Sequence, residues 1–382
     1  MTPAARIQAA IDILDDIGGG KPAEQALTGW ARRSRFAGSG DRAAIRDHVF
    51  DVLRQRESCA AYGGGQGGRQ LVLGLLRQTG VDPDTVFTGE RFAPSILAEE
   101  ERKQSAPDVV PDDLPDWLRP YLERSLEDRL GAVAQALKHR APVHLRVNLR
   151  KSSLQAAQDA LLEDGIETQS HPAADMALEI TDGPRKLRQS SAYKNGIVEL
   201  QDAASQAVVA MLPLQPAHRV LDYCAGGGGK ALAMAAAADV TVDAHDIAPD
   251  RMRDIPDRSA RAGVRISRVD TQALRGPYDL ILCDAPCSGS GSWRRAPEGK
   301  WRLTPERLTE LTEIQDNILQ KAAALTAPDG VLAYATCSLL RDENEDRIAR
   351  FCAAGEWVCD HDHRWYPDEG TDGFYLALLK RS

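Results

Sequence analysis

Two cysteines in the C-terminal half stand where short apolar runs give way to loops. Cys287 lies in Asp284-Ala285-Pro286-Cys287-Ser288-Gly289, directly after the run Tyr278–Cys283, and Cys337 lies in Thr336-Cys337-Ser338, directly after Val331–Ala335. Cysteine is more often a buried small hydrophobe than a reactive group. That reading is kept for Cys59, Cys283, Cys352 and Cys359 and reversed for the two loop cysteines. If the two runs are neighbouring strands, both thiols open onto one crevice, where a thiolate can act as a nucleophile. Carbon-5 of cytosine becomes nucleophilic once a thiolate adds at carbon-6. An acid must then stabilise charge at N3 of the ring, and Asp284 stands where it can do so. After methylation the carbon-5 proton must leave and the thiol be eliminated, which gives a second cysteine a task.

A methyl donor is suggested by a second constellation. The run Val220–Tyr223 passes into Cys224-Ala225-Gly226-Gly227-Gly228-Gly229-Lys230 and then an alanine-rich helical stretch. Such a turn brings backbone amides to a ligand at a helix N-terminus. Gly226, Gly228 and Ala231 satisfy the dinucleotide form G-x-G-x-x-A, whereas a P-loop is excluded because position 224 is not Gly and 231 is neither Ser nor Thr. Asp246, Asp270 and Asp284 follow at the ends of three successive runs. Three acids there suit a ligand with a ribose, an adenine amino group and a positive charge, which describes S-adenosylmethionine. The alternative is that they only cap the following helices.

The surrounding chain supplies the scaffold. Apolar runs at 220–223, 240–245, 264–269, 278–283 and 331–335 alternate with helical stretches over residues 201–382, the pattern of an α/β, doubly wound, mostly parallel sheet. One helix is marked by Thr304 as N-cap and Pro305 at its first position, has the stripe Leu308, Leu311, Ile314, Ile318, Ala322 and Leu325, and is stopped by Pro328-Asp329-Gly330. A capping box of Asp342 and Glu345 predicts another helix. Residues 140–200 read as a small α+β subdomain, with strands at 143–147 and 177–180 and a helix at 153–163. Residues 1–130 read as a helical domain, with a flexible connection at Gly63–Gly68 and a linker at 99–116.

Charge adds a qualification. The chain has 382 residues, 27% of them charged, and carries −9, which argues against a uniformly basic nucleic-acid coat. Residues 32–56 nonetheless hold seven arginines against three acids, and 251–300 hold ten Lys or Arg against six, whereas 201–250 hold two against six. These basic islands are either polyanion sites or solvated helix faces. Trp293 and Trp301 bracket Arg294, Arg295 and Lys300, an arrangement that suits base stacking or simple packing equally. Cys359, His361 and His363 have a strand-face spacing, yet a zinc site usually needs four ligands, so no metal is expected. The N-terminal apolar stretch is broken by Asp12, Asp15 and Asp16, and no run approaches the ~20 apolar residues of a membrane span. A cytoplasmic protein with no membrane partner is expected.

Together these motifs resemble the RNA 5-methylcytosine methyltransferases of the Nol1/Nop2/Sun family. Further matches are Leu145-Arg146-Val147-Asn148, Gln201-Asp202-Ala203-Ala204-Ser205, Arg294-Arg295-Ala296-Pro297 with Lys300-Trp301, and Asp372-Gly373-Phe374-Tyr375, so that the resemblance spans about 140–382. It implies an S-adenosylmethionine-dependent Rossmann-like methyltransferase acting on a cytosine in RNA. It further implies Cys337 as nucleophile, Cys287 assisting product release, and catalytic roles for Asp284 and Lys230. Cys224 through Lys230 (Cys224, Ala225, Gly226, Gly227, Gly228, Gly229, Lys230), Asp246, Asp270 and Asp284 would line the cofactor site. The N-terminal helices look like a NusB-like RNA-binding domain, and that combination with the methyltransferase motifs implies small-subunit ribosomal RNA as substrate; a monomer is expected. Where the family usually has Ala-Pro this chain has Gly226-Gly227, which loosens the turn and spares every reactive group. The competing readings are a transfer RNA cytosine methyltransferase, a non-catalytic RNA-binding ribosome assembly factor, and a DNA cytosine methyltransferase, which would use Cys287 as nucleophile.

Overall fold

The computed structural model describes all residues, 1–382, and divides into two compact units. One comprises residues 1–123, 127–140 and 293–302; the other comprises 124–126, 141–292 and 303–382.

The first unit is helical. Helices Pro3–Gly18, Ala23–Arg33, Ser39–Arg54, Arg56–Gly63 and Gly68–Gln78 bury one face each, and Ile7, Ala10, Ile11, Leu14, Val49, Leu53 and Leu73 form the centre of their core. The glycine run at 63–68 is a tight turn between two helices and not a flexible connection. A Cβ on Gly63 would lie 1.8 Å from the Gln70 carbonyl oxygen, and one on Gly74 would lie 1.8 Å from that of Cys59, so only glycine permits this backbone approach. The stretch expected to be a linker is likewise tied down. Glu101 accepts from Arg69 Nε at 2.7 Å, and buried Asp113 accepts from the Ser58 amide at 2.8 Å and pairs with Lys138 at 2.9 Å.

The second unit contains two sheets. Strands β1 (Val143–Val147), β2 (Glu167–Ser170), β3 (Ala177–Asp182) and β4 (Val198–Leu200) form an antiparallel sheet in the order β2-β3-β1-β4. Helix Leu154–Glu163 covers its Leu145, Val147 and Ile180 through Ala157 and Leu161, and its N-cap Ser153 accepts from the Ala156 amide at 3.2 Å. Seven strands make the larger sheet: β5 (Arg219–Asp222), β6 (Thr241–Ala244), β7 (Ile266–Arg268), β8 (Tyr278–Asp284), β9 (Thr326–Thr336), β10 (Trp357–Trp365) and β11 (Phe374–Arg381). Their order is β10-β11-β9-β8-β5-β6-β7, parallel from β9 to β7, with β11 antiparallel to both its neighbours. The chain winds outward from β5 through β6 and β7, then returns to lay β8 and β9 on the other side. The switch point of this doubly wound sheet therefore falls between β5 and β8, where such folds hold ligands.

Helix Pro305–Ala323 starts as the sequence indicates: Thr304 accepts from the Arg307 amide at 3.2 Å and Pro305 occupies the first turn. It ends at Ala323, before Pro328-Asp329-Gly330, which sits inside β9 at a register shift against β8. The expected capping box at Asp342 and Glu345 does not form. The helix runs Glu345–Cys352 with Asn344 at its cap and no side-chain cap bond, because Glu345 is claimed by Arg364 and Asp342 by Arg124.

Candidate active site

The carboxyl ends of β5, β6, β8 and β9 open into a cleft of about 740 Å³. Its walls include Cys224, Ala225, Gly226, Gly227, Asp246, Asp284, Cys287 and Cys337. Of the remaining residues singled out from the sequence, Gly228, Gly229, Lys230 and Asp270 do not reach the wall. Gly228 and Gly229 start the helix Gly229–Ala237, and Lys230 is buried behind the cleft with its Nζ 2.7 Å from Asp284 Oδ2. Asp270 stands two residues beyond the end of β7, and the neighbouring Thr271 lines the cleft in its place, bonded through Oγ1 to His245 Nε2 at 2.9 Å. His245, Ile247, Arg251, Ile314, Asn317 and Lys321 also line the cleft and were missed from the sequence. Ile314 belongs to the apolar stripe of its helix, yet it is 38% exposed, because it faces the cleft and not the core.

The glycine turn is held firmly. Gly226 has φ +51° and Gly228 φ +79°, both in the left-handed region that favours glycine. The Gly226 amide donates to Asp246 Oδ2 at 2.9 Å, the Gly228 amide donates to the Ala225 carbonyl at 2.8 Å, and Arg258 donates to the Gly227 carbonyl. Glycine at 226 therefore meets a conformational demand, and the turn is not loosened. Asp246, almost fully buried, also accepts from the Ala248 amide at 2.9 Å and from Arg251 at 3.0 Å.

Register explains the meeting of the cysteines. Asp284 pairs with Ala335 across β8 and β9, so the two loops leave the sheet side by side. Cys287 Sγ and Cys337 Sγ lie 3.4 Å apart despite the 50 positions between them. The hydrogen bond to Cys337 and then burial raise the Cys287 thiol well above its ordinary range, so Cys287 keeps its proton. The loops are laced together further. The Gly291 amide donates to the Cys337 carbonyl at 2.9 Å, and the Leu339 amide donates to Ser290 Oγ at 2.7 Å. Buried Glu343 accepts from the Ser288 amide at 2.8 Å, from the Ser288 and Ser338 hydroxyls, and from Gln315 Nε2 at 3.0 Å.

Beneath the cleft, Asp222 is fully buried beside Asp284 and Lys230. Burial raises its carboxyl to about 7, Asp284 adds to the rise, and Lys230 and the Ala231 amide oppose it. Burial also works against the charge of Lys230, but Asp284 and Asp222 outweigh it and raise that ammonium. The raised carboxyl has a sign that can be checked. An unfolded aspartate titrates near ~3.9, so between about pH 4 and pH 7 the unfolded chain has released a proton that the folded chain retains. Stability from this group is present at the acid end of that window and falls as pH rises, by on the order of 4 kcal/mol in all. Asp222→Asn removes the titration. Its stability relative to the native chain should rise from pH 5 to pH 8 in urea unfolding, and a pH-independent difference would refute the assignment.

Other expectations resolve differently. Trp293, Arg294 and Lys300 are buried in the helical unit, where Lys300 donates to the Arg54 carbonyl at 3.0 Å and Trp301 Nε1 donates to that of Leu53 at 2.6 Å. Burial lowers the Lys300 ammonium to about 8. These residues are packing. In β10 a register shift between Cys359 and His361 breaks the alternation that would place Cys359, His361 and His363 on one face. A different trio, His144, His171 and Glu179, brings its donor atoms within 4.8 Å of one another.

A glycine turn at the switch point of a doubly wound sheet, with acids and paired thiols at the strand ends, defines a Rossmann-like methyltransferase fold. The solved structures agree. PH0851 aligns over 100% of this chain and 99% of its own with a TM-score of 0.76 at 22% identity. A methyltransferase homologue from Pyrococcus horikoshii aligns over 71% of this chain and 96% of its own with a TM-score of 0.62 at 24% identity. Residues 209–380 match the family described as 16S rRNA methyltransferase RsmB/F, and residues 114–185 match the ferredoxin-like domain of RsmF/B-like methyltransferases. Over these stretches the chain belongs to the RsmB/F methyltransferase family. Ribosomal RNA small subunit methyltransferase B of Klebsiella pneumoniae is 33% identical over 279 residues, 68% of this chain and 64% of that protein. The chain thus spans slightly less than two thirds of the length of the curated relatives it matches. No helix is long and apolar enough to cross a membrane.

Proposed function

We propose that this protein transfers a methyl group from S-adenosylmethionine to carbon-5 of a cytosine in small-subunit ribosomal RNA. The observation that carries the reading is the 3.4 Å approach of Cys287 and Cys337 on the wall of the cleft that also holds Asp284 and the glycine turn. The cleft fits the cofactor chemically. Gly226 leaves its floor free of side chain. Asp246 is positioned to take a ribose diol, since its partner Arg251 is largely exposed and can yield its place. Asp284, on the cleft wall, favours a cationic sulfonium nearby. Bound S-adenosylmethionine would supply an electrophilic methyl group.

The chain's own residues then have distinct tasks. Cys337, as thiolate, adds to carbon-6 of the cytosine and forms the carbon–sulfur bond, which pushes electrons toward N3 and makes carbon-5 nucleophilic. Asp284, oriented by Lys230 at 2.7 Å, faces the charge that develops at N3. Carbon-5 takes the methyl group and next gives up its proton to solvent water, the electron pair of that C–H bond re-forms the ring double bond and expels Cys337 as a thiolate, and the Cys287 thiol 3.4 Å away assists by hydrogen-bonding the departing sulfur. Helices and turns of the first unit supply RNA affinity outside the chemistry. The K. pneumoniae relative's description as a small-subunit ribosomal RNA methyltransferase supports that substrate.

The test is direct. The full chain is incubated with radiolabelled S-adenosylmethionine and unmodified 16S ribosomal RNA, and the digested RNA is expected to carry label in 5-methylcytidine. Label in another nucleoside, or cofactor binding without transfer, would refute the reading. The second outcome would instead favour a non-catalytic assembly factor.

A further inference from the structure

The arginine-rich stretch of the helical unit divides into two groups. Arg46 pairs with Glu24, Arg54 is buried against Asp51 and the Arg294 carbonyl, and Arg56 lies over the Trp301 ring. Arg32, Arg33 and Arg35, at the end of helix Ala23–Arg33 and just beyond, are exposed and joined to no carboxylate. They lead directly into Phe36, whose ring is 76% exposed. A second phenylalanine, Phe92, is 67% exposed and has φ 68°, a left-handed conformation that a bulky side chain rarely adopts. The Arg91 guanidinium lies 4.7 Å from the centre of the Phe92 ring. Phe36, Phe92, Arg91 and Trp30 line one cleft of about 580 Å³ in this unit. The acid on its wall, Asp12, is engaged by Gln8 at 2.7 Å.

Leaving a phenylalanine in water forgoes roughly 1.5–3 kcal/mol of burial, so two in one cleft mark a surface meant to be covered. A partner that is only apolar would not explain Arg91 on the cleft wall, nor the three exposed arginines, Arg32, Arg33 and Arg35, in the segment that carries Phe36. Unpaired bases offer flat faces to aromatic rings and to guanidinium planes, and their phosphates need cations. We propose that this cleft is a stacking site for unpaired bases of single-stranded RNA, with Phe36 and Phe92 as platforms and Arg32, Arg33, Arg35 and Arg91 on the adjoining phosphates. The proposal deepens the RNA reading above and rests on it.

The experiment uses the full chain with fluorescein-labelled 12-nucleotide oligouridine and oligoadenosine, and a duplex RNA of equal length, across a salt series. Phe36→Ala and Phe92→Ala should each weaken single-strand binding about 5- to 150-fold, the range expected for one lost stacked base, at unchanged salt slope. Phe36→Trp should retain affinity. Replacing Arg32, Arg33 and Arg35 together by Ala should reduce the slope of log affinity against log salt by about 2, since each phosphate contact on a single strand contributes ~0.7. Far-UV circular dichroism melting of the same preparations reports whether the helical unit of each variant is folded. Single-strand affinity unaltered by the phenylalanine variants would overturn the cleft while leaving the methyltransferase reading intact. So would a loss of self-association or of ribosomal-protein binding in place of RNA binding. A native chain that binds no RNA at all would overturn both.

Discussion

Cys337→Ala should abolish methyl transfer and leave no covalent RNA complex, whereas Cys287→Ala should accumulate one. The two thiols are 3.4 Å apart, so their roles cannot be separated by distance. Cys287 is held as a thiol by its bond to Cys337 and by burial, which suits proton handling better than attack. Without Cys337 no carbon–sulfur bond forms, and the cytosine stays unreactive. Without Cys287 the addition and the methyl transfer still proceed, but release slows, so the adduct persists through denaturing electrophoresis. The expected loss of turnover is at least 10³-fold for Cys337→Ala, as for removal of a covalent nucleophile in other enzymes. If the adduct were instead trapped by Cys337→Ala, Cys287 would be the nucleophile, as in DNA cytosine methyltransferases. Cys337 would then not be the nucleophile.

The meeting of these cysteines was legible because it depends on local signals. β-Branched and apolar runs mark β8 and β9, and the Pro-Cys-Ser-Gly and Thr-Cys-Ser segments mark where they end. A parallel register then aligns the two loops without further information. The cleft wall was less legible for three physical reasons. Ile314 repeats at helical spacing like its core neighbours, and periodicity does not tell a buried stripe from one that lines a cleft. Asp270 and Thr271 are adjacent polar residues at a strand end, and which of them turns inward depends on a loop that no local rule defines. Charge counting finds seven arginines in 32–56, but the fold engages Arg46, Arg54 and Arg56 internally and leaves Arg32, Arg33, Arg35 and Arg42 outward. The glycines at 63–68 show a fourth limit. Glycine permits mobility and also permits close backbone approach, and only tertiary contacts decide which.

The acids Asp342, Glu343 and Glu345 carry the other large effect. Local pattern favoured Asp342 and Glu345 as a helix cap, but long-range arginines take both, and it is the fully buried Glu343 between them that holds the site together. Its carboxylate accepts from Ser288, next to Cys287, and from Ser338, next to Cys337, while Gln315 closes the network at 3.0 Å. Its main-chain carbonyl is fixed separately by the Tyr334 hydroxyl at 2.7 Å. Glu343→Ala would leave these donors buried without an acceptor, at a cost of about 3–5 kcal/mol. A loss of that size mixes unfolding with chemistry, so Glu343→Gln is the sharper variant. It keeps the volume and one acceptor oxygen but turns the second oxygen into a donor that faces other donors. We expect turnover to fall about 100-fold, the scale of a displacement near 1 Å at a reacting pair, with S-adenosylmethionine affinity unchanged. Glu343→Asp should recover part of the loss. A purely structural role would not alter the thiols, so the deciding measurement is the rate at which Cys287 and Cys337 form a disulfide in a glutathione redox buffer. Positioning by Glu343 requires that rate to drop in Glu343→Gln. Native rates of both disulfide formation and turnover would mean that the two loops hold their cysteines in place without it.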